Sequence, residues 1–230
     1  MKEPIEGHMD IAEAIASRRS VRGFLDREVD QTLLEKLLIQ AARAPSGGNL
    51  QPWHIHVVLG SRLAELKRIM KGRVAESPLG EGTEYPIYPS GMDSPFRDRN
   101  VRVGQQLYGH LGIPREDKDG RRRWFARNYQ FFGAPVGLFC AIDRVCGSAQ
   151  WSDLGMYLQT LMLILREHGL DSCPQECWAT YHLTVARFLG LPEHQMLFCG
   201  MAIGYADETD PANRLRSERA PPEEFLTFHR

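Results

Sequence analysis

Three arginines and a serine lie close together near the start of the chain, in the run Arg18-Arg19-Ser20-Val21-Arg22. Guanidinium groups bind phosphate through charge-assisted hydrogen bonds, and a hydroxyl adds a further donor. Because the run follows a predicted helix, it is suited to hold a phosphate or another compact anion. The alternative is a solvated basic turn, which the run taken alone favours.

A second motif combines glycines with side-chain amides, in the run Pro45-Ser46-Gly47-Gly48-Asn49-Leu50-Gln51-Pro52-Trp53. Glycines let the backbone approach a flat ligand, and amides satisfy the polar edge of a heteroaromatic ring. Taken alone, the same residues are more typical of an ordinary helix-to-strand loop. The function of this motif therefore depends on what accompanies it.

Composition and charge exclude several classes of protein. With 230 residues, 43% of them hydrophobic, the chain can bury one core, so we expect a single domain over 1–230. The 28 basic and 29 acidic residues give a formal charge of -1, which lacks the footprint of a nucleic-acid binder. No apolar run approaches the roughly 20 residues of a membrane span, and the start lacks a secretion signal. We expect a cytoplasmic protein without nucleic-acid or membrane partners.

The cysteines, an odd five in number, predict neither a disulfide framework nor a metal site. Cys173 and Cys177 have no second pair at zinc spacing. We expect reduced, mostly buried thiols and no bound metal. Residues 1–9 are compatible with a native start or with a cloning remnant and do not enter the fold prediction.

Hydrophobic periodicity predicts helices and strands in alternation. The predicted helices begin at Asp10, Asp30 and Ser61, cover Asn100–Leu111, Arg121–Phe131 and Ser148–His168, and end with one near Tyr181–Leu189. The predicted strands are Trp53–Leu59, Val136–Ile142 and Met196–Ile203. This interleaving favours an α/β or an α+β fold.

Two stretches lack such a pattern. Four prolines and several glycines between Gly72 and Pro95 predict a lid or a substrate-binding excursion. The predicted substrate region as a whole extends to Arg123. The tail from Asp210 to Arg230 has no convincing core pattern. The helix over 148–168, by contrast, is apolar on nearly every side and is expected in the middle of the molecule.

The order of the motifs makes a resemblance specific. RRSVRGF at 18–24, followed by APSGGNLQPWHI at 44–55, resembles the opening signature of the FMN-dependent nitroreductase family. The resemblance continues through GLDSCPQE at 169–176, CGMAIGYAD at 199–207 and NRLRSERAP at 213–221. It covers the whole chain, and the region from Gly72 to Arg123 is the part that it covers least.

The resemblance implies an α+β fold with a central, mostly antiparallel sheet, flanking helices and an intertwined homodimer. Two FMN sites would lie at the subunit interface, with the 148–168 helix as the central dimer contact. By the same resemblance, Arg18, Arg19 and Ser20 hold the FMN phosphate and ribityl chain, and Arg219 closes the phosphate site from the tail.

Other residues are assigned to the flavin ring by the same resemblance. Arg22 faces the pyrimidine edge, where a fixed positive charge raises the reduction potential. The partner subunit's loop, through Pro45, Ser46 and Asn49, lies beside the ring. The segment that passes the reactive N5 atom is formed by Pro174, Gln175 and Glu176, and Gln106 contacts the polar edge.

Two features are less well defined by the family pattern. Cys177 stands where relatives often have a small residue, so a thiol that contacts flavin and a packing residue are both open. Aromatic side chains in and after the excursion are candidates to stack on an acceptor. They are Tyr85, Tyr88, Phe96, Tyr108, Trp124 and Phe125. The run Arg121-Arg122-Arg123 either meets the extra phosphate of NADPH or forms a solvated helix face.

The expected activity needs no protein nucleophile, because the bound flavin carries the chemistry. We expect ping-pong turnover in which NAD(P)H reduces the cofactor and a nitroaromatic or quinone takes its place. Within the same fold, the alternatives are reductive dehalogenation and flavin fragmentation. A flavin-binding protein without turnover is the alternative from another class.

Overall fold

The computed structural model describes residues 9–230, so the tract 1–8 and the question of its origin lie outside the described residues. A four-stranded antiparallel sheet occupies the centre, in the order β1-β2-β4-β3. The strands are β1 His54–Leu59, β2 Val136–Asp143, β3 Asp171–Gln175 and β4 Gln195–Gly204. Helices cover both faces, which confirms the α+β class and the antiparallel sheet.

Seven α-helices surround the sheet within residues 9–230. They are α1 Ile11–Ser17, α2 Gln31–Ala41, α3 Gly60–Glu76, α4 Phe96–His110, α5 Lys118–Phe125, α6 Ser148–Glu167 and α7 His182–Leu189. The carboxylates of Asp10 and Asp30 cap the first two, accepting from the backbone N–H of Glu13 at 2.8 Å and of Leu33 at 2.6 Å. None of the described helices is long and apolar enough to cross a membrane.

The core lies in two layers, one on each face of the sheet. Alternate residues of β2 point to opposite faces, so Phe139 joins an aromatic layer with Phe131 and Trp178. Its neighbours Leu138 and Cys140 join the layer under α2 and α6. Because both faces are covered, β2 is a continuous apolar run, as its sequence predicts.

The buried apolar residues of α6 pack against other elements of the same chain. Its buried residues include Leu154, Tyr157 and Leu161, which pack in the layer shared with α2 and the sheet. The Tyr157 hydroxyl donates to the carbonyl of Leu38 in α2 at 3.2 Å. The same chain therefore covers part of this helix, while Met156 is exposed on it.

The boundaries between 60 and 133 differ from the predicted ones. Helix α3 continues through Gly72 to Glu76, because a glycine in ordinary helical geometry does not end a helix. The segment without helix or strand is therefore 77–95, which we call the excursion. The helix predicted over Arg121–Phe131 is divided into α5 and a 3-10 stretch, Ala126–Gly133, in which Phe131 and Phe132 are left-handed.

Two features were missed from the sequence. Strand β3 contains Asp171, Ser172 and Pro174, which are poor strand formers, but an edge strand tolerates a proline. The tail, expected to lack core residues, buries Asn213 and Leu215 in and beside the 3-10 helix Pro211–Arg214. One short turn shows no periodicity, so the sequence pattern gives no sign of this burial.

The excursion is fixed to the body at its beginning and exposed further along. Glu81 accepts from the backbone N–H and the hydroxyl of Thr184, at 2.9 and 2.5 Å, and from Arg73 at 2.7 Å. The buried Tyr85 donates its hydroxyl to the carbonyl of Phe198. Tyr88, three residues later, is 62% exposed. The anchored part thus ends near Tyr85.

The five cysteines are free thiols, as predicted. Cys140, Cys173 and Cys199 are buried, whereas Cys146 and Cys177 are partly buried. Burial raises the pKa of Cys140 to about 12, so its thiol stays protonated at neutral pH. The buried thiols act as small apolar side chains.

Candidate functional site

The arginine run leaves α1 and continues beside the edge strand β3. The backbone N–H of Val21 donates to the carbonyl of Ser172 at 3.0 Å, and Ser20 pairs with Ser172 in an isolated parallel bridge. A few residues later, Leu25 donates to the carbonyl of Tyr205 at 2.9 Å. The run is therefore held between β3 and the end of β4, at one edge of the sheet.

Arg18 is electrostatically coupled to Arg219 from the far end of the chain. Burial lowers the pKa of Arg18, and the positive charge of Arg219 lowers it further. Among the described residues, the electrostatic neighbours that act on Arg18 are Arg219 and the thiol of Cys173. Arg219 donates to the carbonyl and hydroxyl of Ser217, both at 2.9 Å, and to the carbonyl of Glu218 at 3.0 Å. Two electrostatically coupled guanidiniums are suited to bind an anion.

The positive charge of Arg19 is paired with a carboxylate. Its guanidinium donates to both carboxylate oxygens of Glu208, at 2.5 and 2.6 Å. Its Nε is buried without a hydrogen-bond partner among the described residues. Among the described residues Arg19 thus has a carboxylate partner, whereas Arg219 and Cys173 act on Arg18, so the two adjacent arginines are not equivalent.

Arg22 and Arg18 both lie near the thiol of Cys173 in β3. Burial raises the pKa of that thiol, while Arg22, a hydrogen bond with Ser20 and Arg18 act in the opposite direction. The Arg22 guanidinium donates to the carbonyl of Ser20 at 3.3 Å. Ser20, Arg22 and Arg18 therefore surround the start of the Cys173–Glu176 segment.

The predicted N5 segment presents its backbone rather than the Gln175 side chain. The buried Gln175 amide donates to the carbonyl and the side-chain oxygen of Asn128, at 2.8 and 3.1 Å. It accepts from the indole N–H of Trp178 at 3.4 Å. Because the amide is engaged within the protein, the part of Gln175 left for a ligand is its main chain.

Glu176 and Cys177 follow at the end of β3. Although Glu176 is exposed as a residue, the protein atoms around its carboxyl desolvate it and raise its pKa. Burial raises the pKa of the Cys177 thiol well above neutrality, so the thiol is protonated. A protonated, partly buried thiol favours the packing interpretation of Cys177.

The amide-rich loop is strained and exposed. Gly48, Asn49 and Gln51 have φ angles of 57°, 57° and 51°, in the left-handed region that is unfavourable for the two amide residues. The Ser46 hydroxyl accepts from the backbone N–H of Gln51 at 2.9 Å. The backbone N–H of Gly47 donates to Asp153 of α6 at 3.1 Å. The loop, which begins at the exposed Pro45, is held in one shape with its amides turned outward.

Gln106 lies in a cleft of about 210 Å³ between α4 and the tail, which also includes Arg219. Its amide donates to Glu218 at 3.3 Å, and Arg102 pairs with the same carboxylate at 3.1 Å. Farther along, Arg99 pairs with Glu224. The structure therefore places Gln106 and Arg219 in the same cleft.

The aromatic candidates fall into two groups. Tyr85 and Trp124 are buried in the core, which corrects the expectation that they stack on an acceptor. Tyr108 is half-buried, edge-on to Trp124, and its other side carries Arg121 at 4.1 Å. The exposed members, available to a ligand, are Tyr88, Phe96 and Phe125.

The basic run on α5 is engaged by its own chain. Arg121 covers the Tyr108 ring and donates to the carbonyl of Pro114 at 3.1 Å. Arg122 pairs with Asp119 at 3.1 Å in an exposed ion pair. These contacts favour the solvated helix face for this run.

Comparison with known proteins identifies the family. The model of the nitroreductase family matches residues 15–205, and the chain belongs to that family. A crystal structure of the FMN and NADPH-dependent nitroreductase NfnB from Sphigopyxis sp. strain HMH is 49% identical. It superposes with a TM-score of 0.93, covering 96% of this chain and 99% of that one.

Two further relatives extend this comparison. The FMN-dependent nitroreductase NfnB from Mycobacterium smegmatis, solved in complex with NADPH, is 33% identical, with a TM-score of 0.90 over 96% of this chain and 100% of that one. Nitrobenzene nitroreductase from Ectopseudomonas oleovorans is 37% identical over 95% of this chain and 96% of its own length. The predicted family and fold are confirmed.

Proposed function

We propose that the protein is an FMN-dependent NAD(P)H oxidoreductase that reduces nitroaromatic compounds or quinones. Relatives that match this chain over nearly its whole length are FMN-dependent nitroreductases, one of them solved with NADPH. Another acts on nitrobenzene by its name. The relatives favour nitro reduction over dehalogenation or flavin fragmentation.

One observation in this chain carries the proposal. Arg18 and Arg219 come from opposite ends of the sequence, and the positive charge of Arg219 acts on Arg18. Apart from Arg219, the electrostatic neighbour that acts on Arg18 among the described residues is the thiol of Cys173. A phosphate dianion supplies the opposite charge, so these residues fit the phosphate of FMN. Arg19 and Ser20 lie next in the chain and are proposed to hold the phosphate and the ribityl hydroxyls.

The other predicted contacts follow from the same position. The FMN cofactor supplies the redox chemistry, accepting electrons from NAD(P)H and passing them to the acceptor. Arg22 is proposed to place a fixed positive charge at the pyrimidine edge, which favours the reduced form. Pro174, Gln175 and Glu176 line the reactive face with backbone, since the Gln175 amide is engaged elsewhere. Gln106 is proposed to reach the polar edge from α4.

We further propose that two chains form the site as a homodimer. The Ser46–Asn49 loop hydrogen-bonds to α6 and within itself, and it turns its amides outward. Large apolar side chains are exposed on α1 and on the tail, where a second subunit would cover them. These are Ile11, Ile15, Phe225, Leu226 and Phe228. Light scattering of the purified protein tests the dimer. A monomeric protein that retains FMN would contradict it.

The reductant and the acceptor are proposed to occupy the same place in turn. The exposed rings of Tyr88, Phe96 and Phe125 are the residues available to stack on an aromatic acceptor. They belong to the excursion and to α4 and α5, the part of the chain that the resemblance covers least. The free thiols of the protein suit a reducing compartment, so we propose that the enzyme lies in the cytoplasm.

The decisive experiment is spectroscopic. Purified protein is mixed with FMN, freed of excess cofactor and titrated anaerobically with NADPH and NADH. We expect a retained flavin spectrum that is bleached by a nicotinamide and restored by nitrobenzene. A protein that gains no flavin spectrum contradicts the cofactor assignment, and one that binds FMN without bleaching contradicts the enzymatic one.

A further inference from the structure

A buried asparagine in the tail connects the two ends of the chain. Asn213 lies in the 3-10 helix Pro211–Arg214 and is 3% exposed. Its Oδ1 accepts from the backbone N–H of Arg22 at 2.7 Å. Its Nδ2 donates to the carbonyls of Gly23 and Asp207, both at 2.8 Å. These three bonds fix the side chain.

The surrounding backbone strengthens this connection. Asp207 donates its backbone N–H to the carbonyl of Gly23 at 2.9 Å, so the two segments also pair directly. The carbonyl of Asn213 accepts from Arg216 at 2.8 Å. Asn213 is thus held in turn by the tail that supplies Arg219.

The chemistry of the position requires an amide. One acceptor must face the N–H of Arg22 while two donors face carbonyls; a carboxylate has no donor, and a hydroxyl has only one. A leucine would leave the partly buried N–H of Arg22 without its amide partner and remove one bond from each of the two carbonyls, which is unfavourable. Neither aspartate nor leucine is therefore equivalent here.

We propose that Asn213 is a positioning residue that places the guanidinium of Arg22 against the cofactor. This inference rests on the proposed function. The guanidinium has one long contact of its own, to Ser20 at 3.3 Å, so the backbone anchor at Asn213 decides where the side chain starts. Releasing the anchor moves the positive charge away from the place where it favours the reduced cofactor.

A double-mutant cycle tests the inference. Asn213→Ala, Arg22→Met and the double variant are loaded with FMN, and the FMN dissociation constant and midpoint potential are measured. We expect N213A to weaken FMN binding about tenfold and to lower the potential, as R22M does. In the R22M background, N213A should lower the potential no further, because the charge it positions is gone. If N213A does not fold, N213S replaces it.

The control separates positioning from stability. Thr184 is 6% exposed and donates its hydroxyl to Glu81, with no bond to the Arg22 segment. Thr184→Val should lower the melting temperature and leave the potential unchanged. The inference is overturned if FMN-loaded N213A keeps the wild-type potential, or if its shift persists in full beside R22M. Wild-type protein that fails to bind FMN overturns the proposed function as well.

Discussion

Two regions that contact the same tail are built by opposite means. The first, the arginine junction, comprises residues 18–24 and 207–219 and is held by buried main-chain and amide hydrogen bonds through Asn213. The second, α4 against the tail, is held by exposed ion pairs such as Arg102 with Glu218. Buried bonds fix one geometry, whereas exposed ion pairs contribute little and exchange readily. The junction therefore has one defined geometry, whereas the contact of α4 with the tail can rearrange.

The largest expected effect is on cofactor binding. Arg18→Ala removes a guanidinium from the anion site, and we expect FMN affinity to fall about tenfold to a hundredfold. Arg122→Ala removes the same charge from the ion pair with Asp119 and should leave the affinity unchanged. Fluorescence titration with FMN measures both. Equal losses in the two variants would mean that only net charge matters.

Two glycines test the rigidity of the regions directly. A methyl group at Gly23 would collide with the Asp210 carboxylate, so Gly23→Ala should destabilise the fold by about 1–3 kcal/mol. Gly104 in α4 has open space and helical geometry, so Gly104→Ala should stabilise it by up to about 1 kcal/mol. Denaturant unfolding measures both. A similar loss in each would remove the distinction between the regions.

A smaller effect depends on pH. Burial of the Glu81 carboxyl raises its pKa, but hydrogen bonds from Thr184 and Arg73 outweigh burial and lower the pKa below the ordinary value. The stabilisation is therefore complete above the ordinary glutamate pKa and is lost as the pH falls through the lowered one. We expect hydrogen exchange in 77–85 to accelerate on acidification. Glu81→Gln should weaken the anchor by about 1–2 kcal/mol and remove this dependence.

The smallest effect is expected where α4 meets the tail. Arg102→Ala breaks an ion pair in which both side chains are 60% exposed, so the free energy of unfolding should change by less than about 1 kcal/mol. FMN affinity and KM for the acceptor should each change by less than about fivefold, because an exposed ion pair holds the cleft beside Gln106 only weakly. Steady-state kinetics with nitrobenzene measure the change. A large loss of stability would show that this contact resembles the junction.

Most of the fold was predictable from local patterns. The caps at Asp10 and Asp30, the apolar run of β2 and the apolar helix α6 each carry a signal within a few neighbouring residues. Strand β3 was not predictable in this way, because its strand geometry comes from pairing with β4 and not from its own residues. The apolar pattern of α6 predicts that the helix is covered, but it does not distinguish cover by the same chain from cover by a partner, so the dimer contact stays a prediction.

The candidate site was predicted as a set of residues but not as an arrangement. The motif at 18–24 and the tail arginine indicate a phosphate, yet nothing in the sequence distinguishes Arg18, which is coupled to Arg219, from Arg19, which pairs with Glu208. The site residues remain predictions. Asn128 and Asn213 were missed, because a buried amide is recognisable only from the partners that surround it.

The sequence by itself therefore determined the chemical groups and the family, since arginine runs, glycine loops and apolar periodicity depend on residues that are close in the chain. The tertiary structure decided which charged side chains have a partner of opposite charge and which backbone groups are hydrogen-bonded by a distant side chain. Those outcomes depend on contacts between residues 18–24 and 207–219, which come together only when both pack against the edge of the sheet.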